Sequence, residues 1–317
     1  MIMIYKRWLL AIIGLSVAFI SSEGIKAQVA GSVFRDCESC PEMVVIPPGT
    51  FEMGSTHVEP MRGGEMRPQG PVRRVTIKEA FAAGKYEVTI GEWRLFVEDT
   101  DHKATDCRAW GGEGQRMGNS WLDPDFGRPV LDDEPMMCLY WTETQEYVAW
   151  LSSKTGEKYR LLTEAEWEWA AKGGTKTEWF WGDDDSKICE YGNVFDKAAA
   201  NRPELIVGSG TSMSMVAQCN DGYVLAAPVG QYKSNPFGLY DIVGNVWEWT
   251  QDCSPKFYQE VPADGSAYEV NGSCEKRAIR GGSWRSRVSR HKHFFRGRDP
   301  ELTSYHLFGF RLARDVN

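Results

Sequence analysis

The 317-residue sequence predicts a single α+β domain that is rich in irregular loops and stapled by disulfides. Three segments begin with the same helix-capping pattern, and short apolar segments between turn residues have the character of strands. Eight cysteines are spread along the chain. The long connections have little regular periodicity, which is unusual in a compact domain unless loops are functional or cross-linked. We find no repeat, low-complexity tract or linker that would indicate a second domain.

The N-terminus has the features of a cleavable secretion signal. Lys6 and Arg7 precede an apolar stretch at residues 9–20, and Ala27 is a small residue suited to a cleavage point. The apolar core has about a dozen residues, whereas a membrane span needs about 20. We therefore expect export across the inner membrane to the periplasm, with an uncleaved membrane anchor as the alternative. The expected boundaries are a signal peptide at 1–27, an N-terminal lead-in at 28–42 and the domain at 43–315.

An even number of cysteines behind a secretion signal favours disulfides over free thiols or zinc. The spacing suggests that sequence neighbours pair, which leaves Cys37 and Cys40 to bond each other. Sequence alone does not prove this connectivity. A redox-active pair at Cys37 and Cys40 is the alternative, although no thioredoxin-like strand and helix surround it. The suggested pairs are Cys37–Cys40, Cys107–Cys138, Cys189–Cys219 and Cys253–Cys274.

Two segments near the start of the domain predict strands. Residues 43–54 indicate two short strands around a Pro-Gly turn. Residues 72–81 alternate enough between apolar and polar positions to form a strand that leads to Tyr86, Glu87 and Val88.

Three helix starts use the capping box, in which the first side chain and the Glu or Gln three residues later each satisfy a free backbone N–H. Apolar residues follow at helical spacing, and Gly156 and Gly173 end the second and third helices. Capping and the helix dipole, rather than catalysis, account for Glu164, Glu166 and Glu168. The three predicted boxes are Thr89 with Glu92, Thr142 with Gln145, and Thr163 with Glu166.

Charge is unevenly distributed in this acidic protein, whose formal net charge is −8. Residues 276–298 contain nine Lys or Arg residues together with His291 and His293, and they contain no acidic residue. Such a block can attract an anionic ligand. The alternative is that these arginines pair with carboxylates of the core and stack on tryptophans. Nucleic acid is not an expected partner of an exported protein.

Three motifs carry a resemblance to a known family. They are Gly-Leu-Tyr-Asp-Ile-Val-Gly-Asn-Val-Trp-Glu-Trp at 238–249, Arg-Gly-Gly-Ser-Trp-Arg-Ser-Arg-Val-Ser-Arg-His at 280–291 and Gly-Phe-Arg-Leu-Ala at 309–313. Together they resemble the domain of the formylglycine-generating enzymes, the sulfatase-modifying factors. The resemblance covers about residues 43–315 and implies the family's variant of the C-type-lectin-like fold, an α+β domain stapled by disulfides and calcium.

Calcium prefers about six to eight oxygen ligands and can order loops that lack regular hydrogen bonding. The resemblance implies two calcium sites. Turn formation is the alternative role of Asn193 and Asp221, because Asn and Asp commonly form turns. The first implied site uses Asp241 and Glu248 by side chain and Gly244 and Val246 by carbonyl; the second uses Asn193, Val194, Asp221 and Tyr223.

The catalytic positions depart from the family pattern. In the formylglycine-generating enzymes, two cysteines that follow the Arg-Gly-Gly-Ser run hold copper(I), but the matching residues here are Ser286 and His291. A serine hydroxyl cannot replace a soft thiolate, so neither copper binding nor formylglycine generation by that mechanism is expected. His291 with His293 could still bind copper from one side of a strand; surface or packing roles are the alternative. The resemblance also implies a cleft lined by Arg280, Ser283, Trp284 and Arg285.

These observations predict an exported, calcium-stabilised and disulfide-bonded member of this superfamily that lacks formylglycine-generating activity. It would bind a peptide, a protein or an anionic envelope ligand in a basic, Trp-rich cleft. The alternative is a periplasmic oxidase or maturation enzyme that acts on an exported peptide or a siderophore, as other branches of the superfamily do.

Overall fold

A computed structural model describes most of the chain. The expected signal peptide at residues 1–27 lies outside the described residues. Within the described part, no helix combines the length and the apolar character needed to cross a membrane. The described residues are 29–60, 64–111, 114–202, 216–255, 261–271 and 274–316.

Helices begin where the sequence supplies capping residues. Thr89 Oγ1 accepts a hydrogen bond from Glu92 N at 3.2 Å, and Glu92 Oε2 accepts one from Thr89 N at 2.9 Å. Thr163 and Glu166 form the same reciprocal bonds, so both of these predicted capping boxes are confirmed. The helices span Ile90–Thr100 (α1), Trp141–Thr155 (α2), Glu164–Lys172 (α3) and, as a single short turn, Lys197–Ala200 (α4).

The capping box predicted at Thr142 and Gln145 is wrong. Helix α2 starts at Trp141, so Thr142 lies inside its first turn. Glu143 accepts the N-terminal bond instead, through Oε2 at 2.6 Å from Tyr140 N. The Trp141 indole is buried and donates to the Thr250 carbonyl at 2.8 Å, which fixes the helix start ahead of Thr142.

The strands are short and belong to several sheets. The two strands predicted within 43–54 are present, but they are not a hairpin, because each pairs with different partners. The single strand predicted at 72–81 is divided, since its first part joins a ribbon and its end joins the central sheet. The strands are Val33–Phe34 (β1), Met43–Ile46 (β2), Gly49–Met53 (β3), Val58–Pro60 (β4), Met66–Pro68 (β5), Arg73–Ile77 (β6), Phe81–Gly84 (β7), Cys107–Gly111 (β8), Gly114–Asn119 (β9), Tyr159–Leu161 (β10), Trp247–Cys253 (β11), Arg277–Arg280 (β12), Gly297–Asp299 (β13), Phe308–Phe310 (β14) and Leu312–Asp315 (β15).

Two sheets organise the domain, which is α+β as predicted. The larger has the order β1-β2-β7-β15-β10, and the other has the order β13-β12-β11-β14. Strand β11 pairs antiparallel with β12 and parallel with β14, so the chain returns to this sheet after a long excursion. Ribbons of two strands form from β3 with β6, β4 with β5, and β8 with β9. The connection from β12 to β13 contacts α3 at both ends, through Arg296 with Glu164 and His293 with Lys172, and it carries the residues of greatest chemical interest.

Four disulfides staple the irregular part of the chain. The bonds are those suggested by the spacing, namely Cys37–Cys40, Cys107–Cys138, Cys189–Cys219 and Cys253–Cys274. Because every cysteine lies within the described residues and is paired, no free thiol is left.

We predict that the purified protein has no reactive thiol under denaturing, non-reducing conditions. Replacing Cys253 and Cys274 together by serine should lower the free energy of unfolding by about 2–5 kcal/mol, because the unfolded chain gains freedom. Thiol titration and denaturant unfolding measure the two effects, and the reduced protein, which should titrate eight thiols, is the control. Two or more reactive thiols without reductant would contradict the assignment.

Candidate functional site

The loop after β12 brings Ser283 and Ser286 together in a buried turn. Ser286 N donates to the Ser283 carbonyl at 2.8 Å, and Ser283 N donates to Ser286 Oγ at 3.1 Å. Their hydroxyl oxygens lie 3.0 Å apart. Ser283 is fully buried and Ser286 is 5% exposed. The Ser286 hydroxyl is therefore a fixed part of the turn, with one small surface toward solvent.

His291 packs against the same turn. Its Nε2 lies 3.1 Å from the Ser283 carbonyl, and because a carbonyl only accepts, Nε2 carries the proton. A Cβ at Gly282 would lie 2.3 Å from His291 Cδ2, so only glycine lets the imidazole approach the backbone this closely. Burial lowers the pKa of His291 to about 4, which keeps the ring neutral near pH 7. Since His291 contacts a carbonyl and not the Ser286 hydroxyl, the two do not form a nucleophile and base pair.

The shared strand predicted for His291 and His293 is wrong. His291 ends a short 3-10 helix, Val288–His291, and His293 follows in a turn closed by a hydrogen bond from Phe295 N to the Lys292 carbonyl at 2.8 Å. Both rings nevertheless line one small cavity of about 10 Å³, with Trp179 among its apolar walls. Nε2 of His293 lies 3.0 Å from the Thr177 carbonyl. Tertiary packing, rather than strand alternation, brings the two imidazoles together.

Arg280 lies in the core and not on a cleft wall, which corrects its predicted role. It is fully buried, with Nε at 3.0 Å from Glu164 Oε1 and Nη2 at 2.8 Å from Glu168 Oε2. Arg296 contacts the same Glu164 carboxylate at 2.8 and 2.9 Å. Burial by itself would raise the pKa of Glu164, but Arg296 and Arg280 hold it below its ordinary value. Of the three glutamates, only Glu166 forms a capping box, and it also pairs with Arg160; Glu164 and Glu168 are ion-pair partners of buried arginines.

Trp284 is also interior, so its predicted place on the cleft wall is wrong as well. It is fully buried and packs edge-on against Phe126 and His306, with ring centroids 6.0 and 5.4 Å away. Arg285 is 7% exposed, and burial lowers its pKa to about 10. Of the four predicted cleft residues, none presents a large surface to solvent.

The basic block at 276–298 is neutralised by carboxylates from distant parts of the chain. This arrangement matches the alternative given by the sequence, in which these arginines pair with carboxylates of the core. It removes most of the positive field that the sequence suggests. The pairs are Arg277 with Glu301, Arg280 with Glu164 and Glu168, Arg287 with Glu59, Lys292 with Glu178, Arg296 with Glu164, and Arg298 with Glu65.

An open cleft of about 670 Å³ lies directly after Ser286 in the chain. Its lining mixes apolar and polar groups and is close to neutral, since it contains Asp185 and an arginine, Arg287, that is already paired with Glu59. Hydroxyl and amide groups supply further donors and acceptors. The lining residues are Asp185, Ser186, Ile188, Val216, Ala217, Gln218, Cys219, Arg287, Val288 and Ser289.

The first predicted calcium site contains an excess of buried carboxylate. Arg311 Nη2 lies 2.7 Å from Glu248 Oε1, and burial followed by the charges of Asp241 and Glu248 raises the pKa of Glu87 well above its usual value. Burial also raises the pKa of Asp241 to about 6. Asp241 Oδ1 is buried without a hydrogen-bond partner among the described residues. Three carboxylates around one guanidinium, with an unused oxygen, fit a bound cation.

The second predicted site has a similar signature. Asn193 Oδ1 is buried without a partner in the described part of the chain. Asp221 accepts bonds from Val194 N at 2.8 Å and Tyr223 N at 2.9 Å, which joins the two predicted loops. Burial raises the pKa of Asp221 to about 7, and the nearby Asp196 adds to this shift. The four predicted residues are thus brought together.

Two acidic residues at these sites were not predicted. Glu87 follows β7 and accepts bonds from Asn245 Nδ2 at 2.7 Å and Val246 N at 3.1 Å. Asp196 lies with Asp221 in a group of possible ligand atoms within 4.8 Å of one another; the third member, Cys189, is in a disulfide and cannot supply a thiolate. An acid two residues after Val194 was the available signal for Asp196. Nothing local marks Glu87, which lies far away in sequence.

The sequence and the fold of this chain are similar to those of known proteins. A family model described as the sulfatase-modifying factor enzyme 1-like domain matches residues 29–316. The formylglycine-generating enzyme of Bos taurus is 29% identical over 324 residues, which cover 92% of this chain and 79% of the relative. The inactive C-alpha-formylglycine-generating enzyme 2 of Bos taurus is 29% identical, covering 86% and 87%. The structure of PvdO from Pseudomonas aeruginosa has 32% identity and a TM-score of 0.74, and the match covers 92% of this chain and all of that one.

We predict that His291 makes the folded state sensitive to acid. Its pKa falls from 6.5 to about 4 on folding, so the unfolded chain binds the extra proton between these values and stability decreases as the pH falls through that window. Between pH 7 and pH 5, the free energy of unfolding of the parent should fall by roughly 2 kcal/mol more than that of His291→Gln.

Urea unfolding at the two pH values measures this difference. Other groups titrate in the same range, so the comparison between parent and variant, rather than the parent's slope, is the readout. His57→Gln is the control, because the side chain of His57 is 40% exposed. Parallel pH dependence of the parent and His291→Gln would rule out a buried neutral imidazole.

Proposed function

Because the chain belongs to the sulfatase-modifying factor enzyme 1-like family, we propose that it is an exported member that does not generate formylglycine and that binds a peptide in the cleft beside Ser286. Its fold is the C-type-lectin-like fold of the formylglycine-generating-enzyme type. The family also includes a relative named as inactive, so membership does not require the activity.

The chemistry of the Ser283 turn carries the first part of the proposal. The two family cysteine positions hold Ser286 and His291, and all eight cysteines are in disulfides. A protonated hydroxyl is a hard, weak ligand, whereas copper(I) selects soft thiolate sulfur. The Ser286 oxygen is also held in its turn by Ser283 N. No pair of sulfur ligands can form at this place.

The charge and the polar groups of the cleft beside Ser286 favour a peptide ligand over an anionic one. Its one arginine, Arg287, is already paired with Glu59, and Asp185 adds a negative charge. A bound anion would therefore gain little electrostatic stabilisation in this cleft. A peptide backbone alternates donors and acceptors, and Ser186, Gln218 and Ser289 offer groups of both kinds along the lining.

Export and calcium complete the proposal. Four disulfides are stable in an oxidising compartment, which supports function outside the cytoplasm. The excess of carboxylate around Arg311 and the unused oxygens of Asp241 and Asn193 support calcium at the two predicted sites. Calcium would act there by stabilising loops and would take no part in chemistry.

We predict that the protein binds peptides without converting them. A random pool of extended peptides should contain members that bind the parent, and Ser289→Tyr should weaken their binding by at least about tenfold, because the larger side chain fills the cleft. Fluorescence anisotropy measures binding. Mass spectrometry after incubation with copper and a sulfatase-motif cysteine peptide should show no aldehyde product.

The control for the cleft is Ser266→Tyr, an exposed serine that does not line it. Equal binding by the parent and Ser289→Tyr would place the peptide elsewhere. Copper-dependent aldehyde from the unmodified protein would refute the assignment of the catalytic positions. Oxygen consumption that depends on a bound peptide or siderophore would favour an oxidase or maturation enzyme instead.

We predict that calcium stabilises the fold through Asp241. A ligand that binds only the folded state adds about 2.7 kcal/mol at a hundredfold excess over its dissociation constant. Chelation should therefore lower the melting temperature of the parent and change that of Asp241→Asn much less. Asp241 is a better probe than Glu248, since Glu248 also holds Arg311 and the Trp167 indole, and its loss would destabilise the fold without calcium.

Differential scanning fluorimetry with chelator, and then with excess calcium, makes the measurement. Restoration by calcium, but not by an equal ionic strength of sodium, is the control. An unchanged melting temperature on chelation, together with no tightly held ion by elemental analysis, would show that protons alone neutralise the carboxylates.

A further inference from the structure

A second groove, separate from the cleft beside Ser286, lies between the β3–β6 ribbon and the end of α3. Its volume is about 450 Å³, within the range of sites that bind small molecules. It shares no lining residue with the cleft. The lining residues are Thr50, Phe51, Glu52, Arg74, Trp169, Lys172, Gly174, Thr175 and Lys176.

One wall of the groove is the outer face of the ribbon. Glu52 and Arg74 are direct cross-strand partners, so their side chains lie side by side on one face. Thr50 lies on the same face, because alternate residues of a strand point the same way. Phe51 lines the same groove and packs against Trp169, with ring centroids 5.6 Å apart.

Trp169 provides an apolar base whose polar group is already satisfied. Its indole nitrogen donates to the Pro47 carbonyl at 2.9 Å, so the ring needs no further hydrogen bond. A Cβ at Gly49 would lie 2.3 Å from Trp169 Cζ2, so only glycine lets β3 lie against the indole. Trp169 is partly exposed, which leaves part of the ring available to a ligand.

Lys172 supplies an ammonium group without a strong partner at the end of the groove. The residue is only 8% exposed and forms no ion pair within 4.0 Å among the described residues, although the carboxylates of Glu168 and Glu52 act on its charge from farther away. Its one polar neighbour is His293 Nε2 at 3.5 Å. That nitrogen lies 3.0 Å from the Thr177 carbonyl and so carries a proton, which means that it cannot accept from Lys172.

The remaining charges make the groove positive in an otherwise acidic protein. Arg74 and Lys176 are exposed, and neither forms an ion pair with a described residue. With Lys172 they give three cations against the single carboxylate of Glu52, while the whole chain carries −8. The carbonyls at the end of α3 do not cancel this field, since Asn235, Gly173 and Thr175 already donate to them.

We propose that this groove binds a small anionic molecule whose charged head, a phosphate, sulfate or carboxylate, contacts Lys172, Arg74 and Lys176 while its apolar or aromatic body lies on Trp169. The observation that carries the proposal is a nearly buried lysine that lines an aromatic-based groove and forms no ion pair with a described residue. Burial lowers the pKa of Lys172 in the absence of a ligand, and an anion beside it would compensate for the lost hydration. The proposal goes beyond the peptide cleft and does not depend on it.

Phenyl phosphate tests the proposal on the full-length protein, with inorganic phosphate as the charge alone and phenol as the ring alone. We expect phenyl phosphate to bind at least about tenfold more tightly than either half, because the groove offers both a charged and an apolar contact. Isothermal titration calorimetry gives the affinities, and tryptophan fluorescence reports contact with the indole. Increasing salt should weaken binding.

Lys172→Met should weaken binding of phenyl phosphate by about tenfold or more, and Lys172→Arg should retain most of it. Lys176→Gln is a second variant that cannot fail through misfolding of the core, because Lys176 is exposed, and it should give a smaller loss in the same direction. Lys233→Met, which removes an equal charge from a different cleft, is the control. Equal affinity for phosphate and phenyl phosphate, or binding that none of the groove variants changes, would overturn the proposal.

Discussion

The candidate site depends on the buried ion pairs that the Glu164 carboxylate forms with two arginines. Arg280 reaches it from the last residue of β12, and Arg296 reaches it from the residue before β13. The loop between these arginines carries Ser283, Ser286 and His291, so one buried carboxylate on α3 anchors both of its ends. Removing one partner of such a buried pair costs about 3–5 kcal/mol, because the others keep uncompensated charge. These ion pairs act together with the antiparallel pairing of β12 and β13, in which Ile279 faces Gly297 at the base of the loop.

This anchoring also determines what the basic block can do. Arginines that hold the loop in place are unavailable to a ligand, and the polar cleft beside Ser286 retains little net charge. Cations that form no ion pair with a described residue lie instead around Lys172. Lys172 is the last residue of α3, whereas Glu164, at the centre of the ion-pair cluster, is the first. The helix thus separates two environments: one where charge is used for architecture, and one where it remains available for binding.

Local patterns in the sequence predicted local structure well, and they failed where distant partners decide the outcome. The boxes at Thr89 and Thr163 need only residues three positions apart, and the cysteine pairs follow from neighbouring spacing. Thr142 has the same pattern, but the distant contact of Trp141 with Thr250 sets that helix start. The sequence around Arg280 suggests a cation on a cleft wall, because its buried partner Glu164 lies far away in the chain. Likewise, no alternation rule could bring His291 and His293 to one cavity across a 3-10 turn.

The two buried ionic clusters, around Glu164 and around Arg311, differ in their charge balance. Around Glu164, the carboxylates of Glu164 and Glu168 meet the guanidinium groups of Arg280 and Arg296. Burial, followed by the charge of Glu164, raises the pKa of the adjacent Asp252 to about 8, so this third carboxyl is mostly neutral near pH 7 and the remaining charge is balanced. Around Arg311, three carboxylates meet a single guanidinium, and burial, with a further contribution from the neighbouring carboxylates, raises the pKa values of Glu87 and Asp241. Buried charge of one sign must be neutralised, either by protons or by a bound cation. Protonation would remove the negative charge with which these oxygens bind a cation. A calcium ion would instead be coordinated by them, including Asp241 Oδ1, which has no hydrogen-bond partner among the described residues. The difference in charge balance, rather than the motif alone, is therefore what supports the proposal of calcium beside Arg311.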